Sequence, residues 1–317
     1  MNILLTGYSG LLGRSVARAL TAQDHTVRGL LHRTAVDRRD VEPGVTPVWG
    51  RIDRPKDRAA LVDGIDAIVH CAWDFQRAEP EVYEETNVDV AVELLLAAAA
   101  AGVHTFVLIS SIAVFGLDGG ADVSVDEDTP YVTRERALDV YPWAKVRVEE
   151  EMQTAASRLG VRLVIIRPGL LFSDDHPPVK KSLKAGPANL GLYAGASDHT
   201  LAYIHVDDVS DLIARALAKP DAGDVFLAVP TQPVPSEQLL ARWAARRGVK
   251  MRPVGLPRPA FNALSLAPYQ LKKLLKKKAE RPNIAYQYLT GVRDVRYSSA
   301  RAQDRLGWSD PVTRGIA

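Results

Sequence analysis

The chain has 317 residues, enough for one large domain or two small ones at about 100–200 residues each. Hydrophobic residues make up 47% and charged residues 25%, which excludes a disordered chain, a collagen and a coiled-coil rod. Lys plus Arg number 40 and Asp plus Glu 38, giving a net charge of +2, and so near a balance points to no nucleic-acid partner.

In chain order, residues 2–6 form a short apolar run followed by a glycine-rich turn. Residues 11–22 then carry Leu11, Leu12, Val16, Ala19 and Leu20 at helical spacing. Strands are predicted over 26–31, 45–49, 66–71, 105–110 and 162–166. Helices are predicted over 56–62, 80–101 and 139–159, the last two closed by Gly102 and Gly160. Short apolar strands alternating with helices predict an α/β fold, a doubly wound parallel sheet buried on both faces. Residues 1–170 are assigned to this dinucleotide-binding type of domain. Residues 171–317 read as a smaller, loop-rich substrate region, with roughly 200–230 returning to the core as a helix and a late strand. Residues 173–200 are expected to be loops, and prolines beyond Pro233 to break the chain into short pieces.

Cys71 is the single cysteine, so no intramolecular disulfide can form. The first five residues lack a basic n-region, and no apolar run reaches the roughly 20 residues that span a bilayer. A cytoplasmic protein is expected.

Thr6-Gly7-Tyr8-Ser9-Gly10-Leu11-Leu12-Gly13 lies directly after the first strand and opens the first helix. Glycine lets a backbone approach a pyrophosphate, and the helix N-terminus offers free N–H groups and positive dipole to the anion. A plain strand–turn–helix connection is the bland alternative. A carboxylate about 20 residues on would bind the 2′-hydroxyl of NAD. Leu31-His32-Arg33 stands at that strand end instead. Arg33, with His32 or Arg28, could hold a 2′-phosphate by charge-assisted bonds, so NADP is expected, with NAD the alternative. A solvated Arg33 is the competing reading.

The Gly-x-x-Gly-x-x-Gly spacing resembles the cofactor loop of extended short-chain dehydrogenases/reductases, the epimerase/dehydratase-like branch with a Rossmann fold. Ile68-Val69-His70-Cys71-Ala72, Asn87-Val88, Tyr141-x-x-x-Lys145 and Leu306-Gly307-Trp308 with Pro311 resemble further motifs of that family, in order. The resemblance implies a cofactor site on Gly7 to Gly13, Cys71, Ala72, Asn87, Tyr141, Lys145 and Pro168. Asp53 is either an adenine-contacting residue or a helix cap. Asn87 either orients the cofactor or lysine, or is simply a polar helix residue. Tyr141 and Lys145 share a helix face. Tyr141 would act as acid/base, with Lys145 lowering its pKa and holding the nicotinamide ribose. A surface pair is the alternative. Ser111 would polarise the substrate oxygen, with Ser110 near the cofactor; local capping is the other reading of both. A homodimer through the 80–101 and 139–159 helices is implied by the resemblance alone.

The substrate is less legible. Arg167-Pro168-Gly169 and Tyr141-Pro142 resemble reductase and dehydrogenase members. Leu201-Ala202 stands where sugar-nucleotide enzymes often carry a basic residue. His205 with Asp207 and Asp208 reads as helix capping by an aspartate rather than a metal site, and no metal is expected. His176 and His199 fall in the segment bordering the substrate pocket. Leu271 to Lys278 reads as a solvated helix whose leucines pack inward, against an anionic-surface alternative. The expectation is a carbonyl/hydroxyl oxidoreductase on a small-molecule substrate. A sugar-nucleotide epimerase or dehydratase is second, and a catalytically silent NADP-binding regulator or assembly subunit third.

Overall fold

A computed structural model describes residues 1–32, 41–75, 79–116, 124–137, 139–178, 190–195, 200–219, 224–232, 234–275 and 295–316. The first half alternates as β1 Asn2–Thr6, α1 Leu11–Thr21, β2 Thr26–Leu31, β3 Val45–Trp49, α2 Pro55–Val62, β4 Ala67–His70, α3 Pro80–Glu84, α4 Val90–Ala100 and β5 Thr105–Ile109. Then follow β6 Ser124–Val125, α5 Val140–Leu159, β7 Arg162–Pro168, β8 Leu170–Phe172, β9 Leu190–Ala194, β10 Tyr203–His205, α6 Val206–Ala218 and β11 Val225–Ala228. The chain closes with α7 Ser236–Arg246, β12 Arg252–Leu256, α8 Arg258–Leu274, β13 Arg296–Tyr297, α9 Ala300–Leu306 and α10 Pro311–Ile316.

Seven strands form one parallel sheet in the order β11-β7-β5-β4-β1-β2-β3. Apolar residues on the central strands point alternately to the two sides, so each face buries an apolar layer. One face packs Ile3, Leu5, Val69 and Val107 against α1 and α6. The other packs Leu4, Ile68, Phe106 and Leu108 against α4 and α5. This is the doubly wound α/β sheet that the alternation predicts. From β1 the chain first winds outward through β2 and β3, then turns back to β4. The reversal opens a crevice at the C-terminal ends of β1 and β4, where ligands bind in such sheets.

Three elements differ from expectation. The 80–101 segment is not one uniform helix, because Glu85–Asp89 forms a π turn. Residues 173–200 are not all loop: β9 pairs in parallel with β12 from Arg252↔Leu190 to Leu256↔Ala194. The proline-rich tail holds the 17-residue α8, with Pro259 in its first turn and Pro268 inside it. Proline at the start of a helix costs nothing, since that N–H has no partner there anyway.

Candidate active site

β1 ends at Thr6, and Gly7 takes a left-handed φ of 69°. A Cβ on Gly7 would lie 2.7 Å from the Ala72 nitrogen, and one on Gly13 only 2.2 Å from the Gly7 carbonyl oxygen. The turn therefore folds β1, the β4 end and α1 into one close cluster that no side chain could enter. Gly10 caps α1 without a side-chain hydrogen bond, and the first turn holds no acidic residue. Its orphan N–H groups and dipole are free for an anion.

From that turn a cavity of about 910 Å³ runs along the crevice. Gly7, Ser9, Gly10, Leu11, Leu12, Gly13, Cys71, Ala72, Ser110, Ser111, Tyr141, Lys145 and Pro168 line it together. The remaining expected residues stand elsewhere. Tyr8 is fully buried, its ring across Gly29 and its hydroxyl accepting the Glu42 N–H at 2.9 Å. Asp53 is paired with Arg51, which pulls its carboxyl below the ordinary range, and it does not line the cavity. His32 is exposed at the end of β2. Arg33 and His199 lie outside the described residues. Arg28 donates to the Asp63 carbonyl at 2.8 Å and does not line the cavity. His176 bonds back to Ser173 and stands off the cavity.

Asn87 is buried in the π turn and clamps the loop after β4. Its Oδ1 accepts the Asp74 N–H at 2.7 Å and its Nδ2 donates to the Asp74 and Tyr83 carbonyls. That clamp sets Trp73, a residue the motif reading overlooked. The Trp73 indole donates to the Tyr83 hydroxyl at 2.9 Å and meets the Tyr141 ring edge-on. Its face covers the Lys145 ammonium at 3.4 Å from the ring centre. Phe75 stacks on Tyr141 from outside. The positional signal was available: both aromatics lie in the loop after the C-terminal end of β4, where the crevice opens.

Asp139 precedes α5, so Tyr141 and Lys145 fall one turn apart at its start. Lys145 is buried and donates to the Ile109 carbonyl at 2.9 Å. Burial drives its pKa down to about 7, with Glu149 partly opposing the shift. Tyr141 moves the other way. Burial raises its pKa, and a hydrogen bond with Ser111 only partly offsets this. The expected lowering of the phenol by Lys145 is therefore not met by the chain's own groups, because the ammonium turns to Ile109 and Trp73. Ser111 Oγ also accepts the Ala113 N–H at 3.1 Å. Ser110 Oγ is buried in the cavity wall with no hydrogen-bond partner among the described residues.

Beneath the site, Glu149 and Arg167 form a fully buried ion pair at 2.7 Å. Arg167 also donates to the Glu127 carbonyl and the Tyr131 hydroxyl, both at 3.0 Å. It is a scaffold residue, while Pro168 beside it reaches the cavity. The His205–Asp208 cluster is also structural. His205 Nδ1, not an aspartate, accepts the Asp207 N–H and caps α6. Asp208 accepts two hydrogen bonds from Thr313. Among the described residues no three or more His, Cys, Asp or Glu gather as metal ligands.

The residues present fit a dinucleotide: a side-chain-free cradle at a helix N-terminus, continuous with a Ser-Tyr-Lys group at its far end. The sequence profile of the NAD dependent epimerase/dehydratase family matches residues 3–228. The chain belongs to that family. It is 26% identical to a 4-hydroxy-2-methyl-3-oxo-4-farnesyl-3,4-dihydroquinoline-1-oxide ketoreductase of Stigmatella aurantiaca, over 99% of this chain and 93% of the relative. It is 27% identical to a UDP-glucose 4-epimerase of Vibrio cholerae, over 98% of this chain and 92% of that one. Among solved structures, the UDP-glucose 4-epimerase of Thermotoga maritima superposes with a TM-score of 0.73 at 18% identity, covering 100% of this chain and 96% of that one. Members of this epimerase/dehydratase family vary in reaction, so the lining of this chain's own cavity has to choose.

Proposed function

We propose that this family member is an NADP-dependent oxidoreductase acting on an apolar ketone or the matching alcohol. The observation that carries the reading is the apolar share of the wall of the cavity that Tyr141 also lines. Ile112, Ala113, Leu170, Leu171, Leu201, Ala202 and Val295 line it, and Lys145 is the only basic lining residue among those described. A sugar nucleotide needs cationic partners for its diphosphate, and beyond Lys145 the described lining supplies none. Tyr141 carries a phenol proton beside Ser111 in this cavity, and a general acid at that place suits ketone reduction.

The nicotinamide, when bound, supplies the hydride chemistry. The chain's residues do the rest. Ser111 and Tyr141 hydrogen-bond the substrate oxygen, and Tyr141 gives its proton there. Lys145, turned from Trp73, holds the ribose and stabilises the phenolate left behind. NADP over NAD rests on the lack of a carboxylate in Leu31-His32-Arg33. A homodimer through the 80–101 and 139–159 segments belongs to this reading, supported by exposed Val82 and Leu96 on the first of them, and the lone cysteine suits a cytoplasmic setting.

Thermal shift with hydrophobic ketones and UDP-sugars, each with NADPH, tests the substrate class. Stabilisation by ketones alone is expected; stabilisation by UDP-sugars alone overturns it. NADPH should bind more tightly than NADH, and Arg33→Ala should narrow the gap.

A further inference from the structure

The sequence leads one to expect that the leucines near Lys272 pack inward. The structure reverses this. In α8 only Phe261 is buried among the described residues. Asn262, Ser265, Leu266 and Tyr269, half-buried, share the Phe261 side of the helix. The opposite side carries Ala260, Leu264, Ala267, Leu271 and Leu274, spaced four, three, four and three residues apart, all of them exposed. At 100° per residue this is one continuous stripe, about 21 Å long by helical rise. Leu271 is 57% exposed, Leu274 79% and the adjoining Leu275 56%. No other helix of the protein presents its leucines so fully to solvent, among the described residues.

Charge says what covers the stripe. Residues 258–278 contain Arg258, Lys272, Lys273, Lys276, Lys277 and Lys278, and no Asp or Glu. Neither Lys272 nor Lys273 is ion-paired among the described residues. Two copies of such a segment would repel one another when their stripes met, in either direction. An apolar stripe on a segment whose only charges are positive instead matches the boundary of an anionic bilayer: leucines enter the acyl layer while the long stems of Lys272 and Lys273, on the other side of the helix, carry their charges to the headgroups. We propose that α8 lies in the interface of anionic membranes and holds the enzyme reversibly at their surface. The contact is peripheral; no helix among the described residues is long and apolar enough to cross a membrane.

The test is cosedimentation of the whole protein with phosphatidylcholine vesicles, with and without 30% phosphatidylserine. Binding is expected only to the anionic vesicles and should weaken as salt is raised. Leu271→Ser with Leu274→Ser should abolish it, and Lys272→Glu with Lys273→Glu should lower partition by roughly 30-fold or more. Circular dichroism and NADPH binding identify any variant that has misfolded. Three outcomes overturn the proposal: no pelleting with anionic vesicles, pelleting unchanged by the leucine variant, or a concentration-dependent dimer that the leucine variant dissolves. Binding of the wild type to an acidic polypeptide but not to vesicles overturns it too. The readout needs no turnover, so it stands or falls apart from the proposed reaction.

Discussion

At Tyr141 and Lys145 the decisive quantity is desolvation. The same burial that raises the phenol lowers the ammonium, so the chain alone holds tyrosine protonated and lysine near the midpoint of its titration. Tyr141→Phe removes the transferable proton and should cut turnover by on the order of 100-fold or more, with NADPH affinity within about twofold of wild type by fluorescence titration. Lys145 also sets a pH dependence of stability. Its folded pKa lies below its unfolded one, so the unfolded chain binds more protons between about 7 and 10.5. Stability must then rise with pH across that window. His70, lowered to about 3, contributes only below it, and Cys71, raised by burial to about 12, opposes chiefly above the ordinary thiol range. Between pH 7 and 9, urea unfolding should therefore show a gain of about 2 kcal/mol, absent in Lys145→Met. Trp73 belongs to this scale as well. Its indole covers the ammonium that the ribose should reach, so NADPH binding should change tryptophan emission, and Trp73→Phe should remove most of that change.

At the scale of elements, the glycine turn and the α5–β7 layer position the site. Gly13→Ala would put a Cβ into the Gly7 carbonyl and force β1 from α1. Calorimetry should detect no NADPH binding by that variant, even if the sheet still folds. In the layer behind the site, Glu149 sits one turn beyond Lys145 and neutralises the buried Arg167. Glu149→Gln leaves that guanidinium unpaired and should cost about 3–5 kcal/mol in denaturant unfolding.

At the scale of the whole molecule, α6, β11 and α9 tie the C-terminal chain to the sheet. β11 completes the parallel edge beside β7, and Trp308 inserts behind α6, donating to the Asp208 carbonyl at 2.9 Å. Trp308→Ala opens a large cavity there and should destabilise by about 3–5 kcal/mol. Leu96 on α4 is exposed and tests the proposed assembly. If α4 and α5 form the dimer face, Leu96→Glu should yield a monomer by analytical ultracentrifugation, with the site chemistry intact.

What the sequence determined by itself is whatever depends on neighbours along the chain. Apolar runs alternating with amphipathic helices are local, so the doubly wound sheet was legible before any coordinates. The strand–Gly-x-x-Gly-x-x-Gly–helix turn was legible too, because backbone sterics impose it within eight residues. Tyr141 and Lys145 were readable as a pair because helical periodicity places them on one face. Tertiary structure alone decided the rest. The opposed pKa shifts at that pair arise from burial and from Trp73 and Ile109, distant in sequence. The aims of Arg28 and Arg167 were set by partners 35 and 18 positions away. Whether the α8 leucines face the core or solvent was undecidable from period alone, since an apolar stripe states that a face is to be covered and not by what.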